Sequence, residues 1–339
     1  MKRNKTNCRM QAVAFTPVWL TILAVTMLLL PGQATGAGEE GSVSEKQRDW
    51  EFSHSGVMAL DFYGTIEYYK SIGVAVEPYG LSRKPGAMRL ELLYIGDMEL
   101  EVLQAPKERP KGRAHAYGEG INHVTFYLTD FDGETARLLR KRQWIIFEYY
   151  NDDGILMENY LDTRESGNII TAFRRGLQKK ETIVRKANYG IVDWKFRGHG
   201  VVVPDVDKTA EYYQSLELAV VQPEVIFDSS SIAGVELYGE APVTPIKARI
   251  RTAKIGPLVY EFIQPLEGNG IYKESLDRRG EGVIDITFTV ADLEAETAKL
   301  VEKGVKVIFR GRLQTGGAFA YFDTREDGGD IMIKLVEEE

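Results

Sequence analysis

The second half of this chain repeats its first half. Thr65-Ile66-Glu67-Tyr68-Tyr69-Lys70-Ser71 returns 144 residues later as Thr209-Ala210-Glu211-Tyr212-Tyr213-Gln214-Ser215. Ile95-Gly96, followed by Glu101-Val102-Leu103-Gln104, returns at an offset of 160 as Ile255-Gly256 and Glu261-Phe262-Ile263-Gln264. Tyr160-Leu161-Asp162-Thr163-Arg164-Glu165 returns at 161 as Tyr321-Phe322-Asp323-Thr324-Arg325-Glu326. Order is kept, so one insertion in the second copy accounts for the jump. Units of roughly 130 residues are too long for a solenoid repeat and suit two tandem domains.

The 339 residues, 44% of them hydrophobic, suffice for two ordinary cores. The formal net charge is −8; Lys2, Arg3, Lys5 and Arg9 are the only charges before Glu39, so the remainder stands near −12 (−8 − 4). An acidic body argues against nucleic acid as a partner, and against a membrane except through the N-terminal segment if it stays uncleaved. Residues 1–37 read as a signal peptide or N-terminal anchor: a basic start, the apolar run Ala12 to Leu30, then Pro31-Gly32 and the small residues Ala34 to Ala37. Either reading puts the body outside the cytoplasm, periplasmic or extracellular, or anchored by residues 12–30. The sole cysteine, Cys8, precedes the apolar run, so the body has no disulfide and no thiol nucleophile.

After a polar linker at 38–50, each copy alternates short strands and amphipathic helices in the same order. In the first, spanning 51–176, Ser55 to Leu60 reads as a strand and Phe62 to Ile72 as a helix. Arg89 to Tyr94 and Met98 to Leu103 are strands joined at Ile95-Gly96-Asp97. Gly120 to Leu128 is a strand, Phe131 to Gln143 a helix, and three short strands run to Phe173. A linker at 177–195 leads to the second copy, 196–339. The expectation is an α+β fold, each copy a pair of βαβββ units with helices outside a curved, cup-shaped sheet.

That order and spacing resemble the vicinal oxygen chelate superfamily, which includes glyoxalase I, methylmalonyl-CoA epimerase, extradiol dioxygenases and bleomycin-resistance proteins. Gly200-Val201-Val202-Val203-Pro204-Asp205-Val206-Asp207 is similar to the family's first strand and helix start. Arg278-Arg279-Gly280-Glu281-Gly282-Val283 resembles its mid-domain entry, and Asp292-Leu293-Glu294 through Lys303-Gly304-Val305 its second helix. The resemblance implies one divalent metal in the cup, held by a histidine on the first strand, Glu or Gln closing the first unit, a histidine opening the second, and Glu near the end.

Carried over, those positions fall in the first copy on His54, Glu101, His123 and Thr171, so three of four are metal-ligand types. Two histidines and a carboxylate suit Zn, Fe, Mn or Ni without choosing among them. In the second copy they fall on Gly198, Glu261, Asp285 and Lys334, with His199 out of register. An ammonium there is expected between Glu261 and Asp285, in place of a metal. The cofactor expectation is therefore a divalent metal in the first domain only. Arg249 and Arg251 alternate on a strand expected to line the second cup, where they would hold an anionic substrate group. Glu148 and Glu158 lie on late strands of the first copy, their facing open. His115 is expected in a loop.

Three functions remain open. The first is a metal-dependent lyase or isomerase of the glyoxalase and epimerase kind, with Glu101 as ligand and catalytic base. The second is a non-catalytic small-molecule-binding protein. The third is an Fe(II) dioxygenase of the extradiol type, although those carry their metal in the second domain. All imply a small-molecule substrate or ligand; a homo-oligomer is compatible with each.

Overall fold

The computed structural model describes residues 49–76, 89–104, 118–178, 190–313 and 316–338. The N-terminal segment, His115 and most of the linker after Gly176 lie outside the described residues. No helix among the described residues is long and apolar enough to cross a membrane.

The first copy forms a seven-stranded sheet from β1 (Glu51–Ala59), β2 (Leu90–Ile95), β3 (Met98–Gln104), β4 (Gly120–Leu128), β5 (Ile145–Tyr150), β6 (Leu156–Leu161) and β7 (Ile170–Arg175). Their order is β2-β3-β1-β4-β7-β6-β5. The second copy contributes β8 (Lys195–Val202), β9 (Val220–Val221), β10 (Val225–Asp228), β11 (Ala233–Leu237), β12 (Lys247–Ile255) and β13 (Leu258–Glu267). It continues with β14 (Gly282–Val290), β15 (Val307–Arg312), β16 (Ala318–Phe322) and β17 (Met332–Glu337). The order there is β10-β12-β13-β8-β14-β17-β16-β15-β11, with β9 beside β12. At both centres the pairing is the same. β1 runs parallel to β3 and antiparallel to β4, which runs parallel to β7; β8, β13, β14 and β17 repeat this.

The repeated helices start where an aspartate can cap them. Asp61, Asp130, Asp205 and Asp292 each accept backbone N–H groups of the first turn of α1 (Phe62–Ser71), α2 (Phe131–Arg140), α3 (Val206–Ser215) and α5 (Leu293–Glu302). A further helix, α4 (Ile271–Arg279), belongs to the second copy alone among the described residues.

One hydrophobic core serves both sheets. Val57, Val102, Val124, Phe126 and Phe173 of the first pack in the same cluster as Val201, Phe262, Val283, Phe288 and Ile333 of the second. Each such side chain contributes roughly 1.5–3 kcal/mol by leaving water. Equivalent residues meet across the junction: Phe52 and Phe196 rings lie 4.9 Å apart, and Ser55 Oγ sits 2.9 Å from His199 Nε2. The sheets therefore stand back to back with their concave faces outward.

The insertion seen in the sequence closes the second cup. β10 pairs with β12 at one edge of the sheet and β11 with β15 at the other, so residues 225–237 bridge both edges. Phe227, carried by this strap, packs against Tyr272 of α4, Phe309 and Phe319. With Ile250, Ile263, Tyr321 and Met332 these side chains form a second core inside the cup.

Candidate metal centre

Strand alternation decides which side chains enter the first cup. On β1, Val57 and Ala59 join the shared core, whereas His54 and Gly56 turn to the concave face. A bulge between Phe52 and His54 brings Ser53 to the same side, where its hydroxyl meets His54 Nδ1 at 3.0 Å. Glu101 enters from β3 and His123 from β4. All three are buried, and their ligand atoms lie within 4.8 Å of one another. His54, Glu101 and His123 are thus brought together as the sequence led one to expect.

His54 Nε2 is 3.7 Å from Glu101 Oε2 and 3.1 Å from Thr125 Oγ1. His123 Nδ1 donates to Asn122 Oδ1 at 2.6 Å, which leaves the Nε2 lone pair facing the cup. That Nε2 lies 3.3 Å from Glu101 Oε2 without hydrogen-bond alignment, and is buried with no hydrogen-bond partner among the described residues. Burial raises the Glu101 carboxyl, but His54 and His123 in their protonated forms, with Arg174, outweigh it and hold the group at about 2 in the metal-free cup. Gly56 completes the cradle: a Cβ there would stand 1.9 Å from His123 Cε1. A lone pair aimed at a carboxylate, in a two-histidine set, fits a divalent metal.

A second carboxylate lines the same cup. Glu158 on β6 is 3% exposed, and its Oε1 lies 4.0 Å from His54 Nε2. Oε1 also accepts the Tyr160 hydroxyl at 3.1 Å; Oε2 accepts Arg174 Nε at 2.9 Å and Nη2 at 2.6 Å. The Tyr160 ring stands 4.9 Å from that of His123, with Phe147 on its other side at 5.3 Å. Burial first, then Glu158, raises the Tyr160 phenol well above its ordinary range. Glu148 is exposed and takes the hydroxyl of Tyr150 instead. Neither Asn122, Tyr160 nor Arg174 stood out in the sequence. The period-two spacing of Glu158 and Tyr160 was the available signal.

Two expectations require correction. Thr171 does not face the cup: it pairs with Val124 on the core side, and its Oγ1 bonds Thr163 Oγ1 at 2.9 Å. The fourth position is Ala172. It lies beside Thr125 as Lys334 lies beside Thr287, an offset of 162 for both pairs. Arg249 and Arg251 do not line the second cup either. Ala248 and Ile250 point into it, so the alternate residues point out, toward Asp207 on α3. Arg249 also pairs with Glu224.

In the second cup Lys334 Nζ contacts Glu261 Oε2 at 2.5 Å and stands 5.3 Å from the Tyr321 ring centre. Asp285 Oδ1 accepts Gly200 N–H at 3.1 Å and the Thr287 hydroxyl at 2.7 Å, whereas its Oδ2 is buried without a partner among the described residues. Burial pushes the Asp285 carboxyl up to about 6, more than Lys334 and these hydrogen bonds lower it. Burial raises Glu261 too, but Lys334 overrides it and the net shift is downward. His199 points out of the cup to Ser55, and burial lowers it to about 4.

Residues 199–322 match the Glyoxalase/Bleomycin resistance protein/Dioxygenase superfamily. Among solved structures, a mutant of 4-hydroxymandelate synthase from Streptomyces coelicolor is similar at a TM-score of 0.62 and 12% identity, over 85% of this chain and 92% of that one. A halotolerant catechol dioxygenase gives 0.53 and 9%, over 85% and 86%. A xylose isomerase-like TIM barrel/4-hydroxyphenylpyruvate dioxygenase fusion protein gives 0.54 and 14%, over 85% and 49%. No curated protein shows a significant sequence match. At these identities the likeness establishes the fold alone.

Proposed function

We propose, for a chain with two tandem domains of the vicinal oxygen chelate fold, that the first cup holds a divalent metal through His54, Glu101 and His123. On this reading the protein is a metal-dependent enzyme acting on a small oxygen-chelating substrate. The observation that carries it is the buried convergence of the three groups, with the His123 Nε2 lone pair aimed inward and unpartnered among the described residues. The family match falls on the second copy, whose cup is filled, so the site assignment rests on this geometry.

A metal bound there would polarise a substrate oxygen as a Lewis acid. The chain's own groups do the rest. Asn122 fixes the His123 tautomer, and burial keeps bulk water away from the centre. In the lyase or isomerase reading, a carboxylate of the cup, Glu101 or Glu158, takes and returns a proton on the carbon beside the chelating oxygens. Tyr160 and Glu158 supply a hydrogen-bonded phenol and carboxylate next to it. The two-histidine, one-carboxylate set favours a second reading, Fe(II)-dependent oxygen chemistry.

Metal analysis of protein purified without chelator tests the assignment. The expected result is metal bound to the wild type and lost in His54→Ala and His123→Ala. A protein that takes up no metal even after anaerobic loading overturns it. Oxygen uptake by the Fe(II)-loaded protein selects the second reading, and proton exchange into substrate without oxygen selects the first. Metal bound with neither activity selects a binding protein. Export belongs to the same proposal, supported by the sequence of residues 1–37; detection of the body in the cytoplasmic fraction counts against it.

A further inference from the structure

A buried carboxylate beside the ligand set, Glu158, stops short of it. Its Oε1 is 4.0 Å from His54 Nε2, against 3.7 Å for Glu101 Oε2 from the same nitrogen and 3.3 Å from His123 Nε2. Donor atoms sharing a metal at 2.0–2.2 Å stand about 3–3.5 Å apart, so Glu158, outside the group whose ligand atoms lie within 4.8 Å of one another, must turn inward from its contact distance to His54 to join. Two donors of Arg174 prevent it by holding Oε2. Arg174 is itself anchored: Nη1 approaches Tyr127 OH at 3.4 Å and Ser53 Oγ at 3.5 Å, and the guanidinium lies 5.6 Å from the Tyr127 ring centre. The position from which a fourth ligand would come on β7 carries the methyl group of Ala172, with Tyr160 opposite it on β6.

We propose that Arg174 is a positioning residue that holds Glu158 out of the metal's coordination sphere, fixing the site at three protein ligands. This rests on the reading that His54, Glu101 and His123 bind a metal. Without the guanidinium, Glu158 turns inward to become the fourth ligand and takes a position that substrate oxygens need. The pair also balances its own charge, so neither group is left as an isolated buried ion.

Co(II) alone is the probe, since its visible absorption falls in intensity as coordination number rises. The comparison is of wild type, Glu158→Gln, Arg174→Met and the double variant Arg174→Met/Glu158→Gln. Wild type, Glu158→Gln and the double variant are expected to share one spectrum. Arg174→Met alone should show a weaker, shifted absorption and bind Co(II) about tenfold more tightly, the usual scale of a change beside a ligand set. Arg174→Lys keeps the charge with one donor group and should fall between; if Arg174→Met does not fold, that variant carries the comparison. Removing a positive charge near the metal also tightens binding, but leaves the spectrum unchanged. The inference is overturned if Arg174→Met has the wild-type spectrum, or if Glu158→Gln alters it. If the wild type takes up no Co(II) at all, the reading of the site has failed instead.

Discussion

Gly56 is the position where one carbon atom tests the first cup most directly. The residue lacks a positive φ, so an alanine meets no backbone strain and only the steric effect remains. Its Cβ would stand 1.9 Å from Cε1 of His123, 2.4 Å from Nδ1 and 2.5 Å from Nε2. Carbon atoms rest at about 3.5–4.0 Å, so the ring must retreat by roughly 1.5 Å. Metal–ligand distances tolerate about 0.2 Å. His123 must therefore leave the ligand set, or β1 must move and carry His54 with it. Gly56→Ala is expected to lower metal affinity by about 10–100-fold or more and to cost about 1–3 kcal/mol from overpacking. Gly200→Ala is the matched control, because its Cβ would lie 1.9 Å from Asp285 Oδ2 in the filled cup. It should cost similar stability and leave metal affinity alone. Isothermal titration with Zn(II) and urea denaturation of both variants measure the two effects. Unchanged affinity in a folded Gly56→Ala protein would show that His123 is not a ligand.

Lys334→Met should destabilise the protein by about 3–5 kcal/mol at neutral pH, since it strands Glu261 and Asp285 in a closed cup; a neutral result in urea denaturation would mean that the ion pair is dispensable. Asp285→Asn tests the raised carboxyl. Its folded value near 6 exceeds the ordinary 3.8, so the folded state holds this proton more tightly than the unfolded chain. The wild type therefore loses stability as pH rises through about 4 to 6, then levels off. Asparagine removes that loss, so the variant should gain on the wild type between pH 4 and 7 by at most about 3 kcal/mol. A stability difference independent of pH would refute this.

Much of the architecture was legible because repeated spacing survives where individual residues drift. The strand and helix order and the two glycine-centred hairpins follow from comparing the copies, and the ligand set on β1, β3 and β4 from the family resemblance. What failed did so through parity. The extra glycine in the second copy's turn, Gly328, moves the offset from 161 to 162 between the Asp-Thr-Arg-Glu motif and β17, whereas setting Thr171 against Lys334 takes it as 163. Because side chains alternate, one residue exchanges Ala172 for Thr171 and the cup for the core. Arg249 and Arg251 were misplaced by the same one-residue ambiguity on a strand whose two faces are both partly polar. Glu158, Tyr160 and Arg174 were out of reach for another reason: their contacts join β6 to β7 and β1, and no local pattern encodes them.

The shared core has a consequence for what tandem duplication permits. A chain with only one copy would bare the back of its sheet, including Val57, Phe126 and Phe173, and would need a second molecule to cover it. Two identical subunits so joined must carry identical cups, because any substitution appears in both at once. Covalent linkage lifts that obligation. One half was free to fill its bowl with Phe227, Tyr272 and a lysine while still shielding its twin, and the asymmetry could accumulate without loss of the scaffold. In this protein the second half acts as a permanently attached subunit whose inheritance is its surface, not its site.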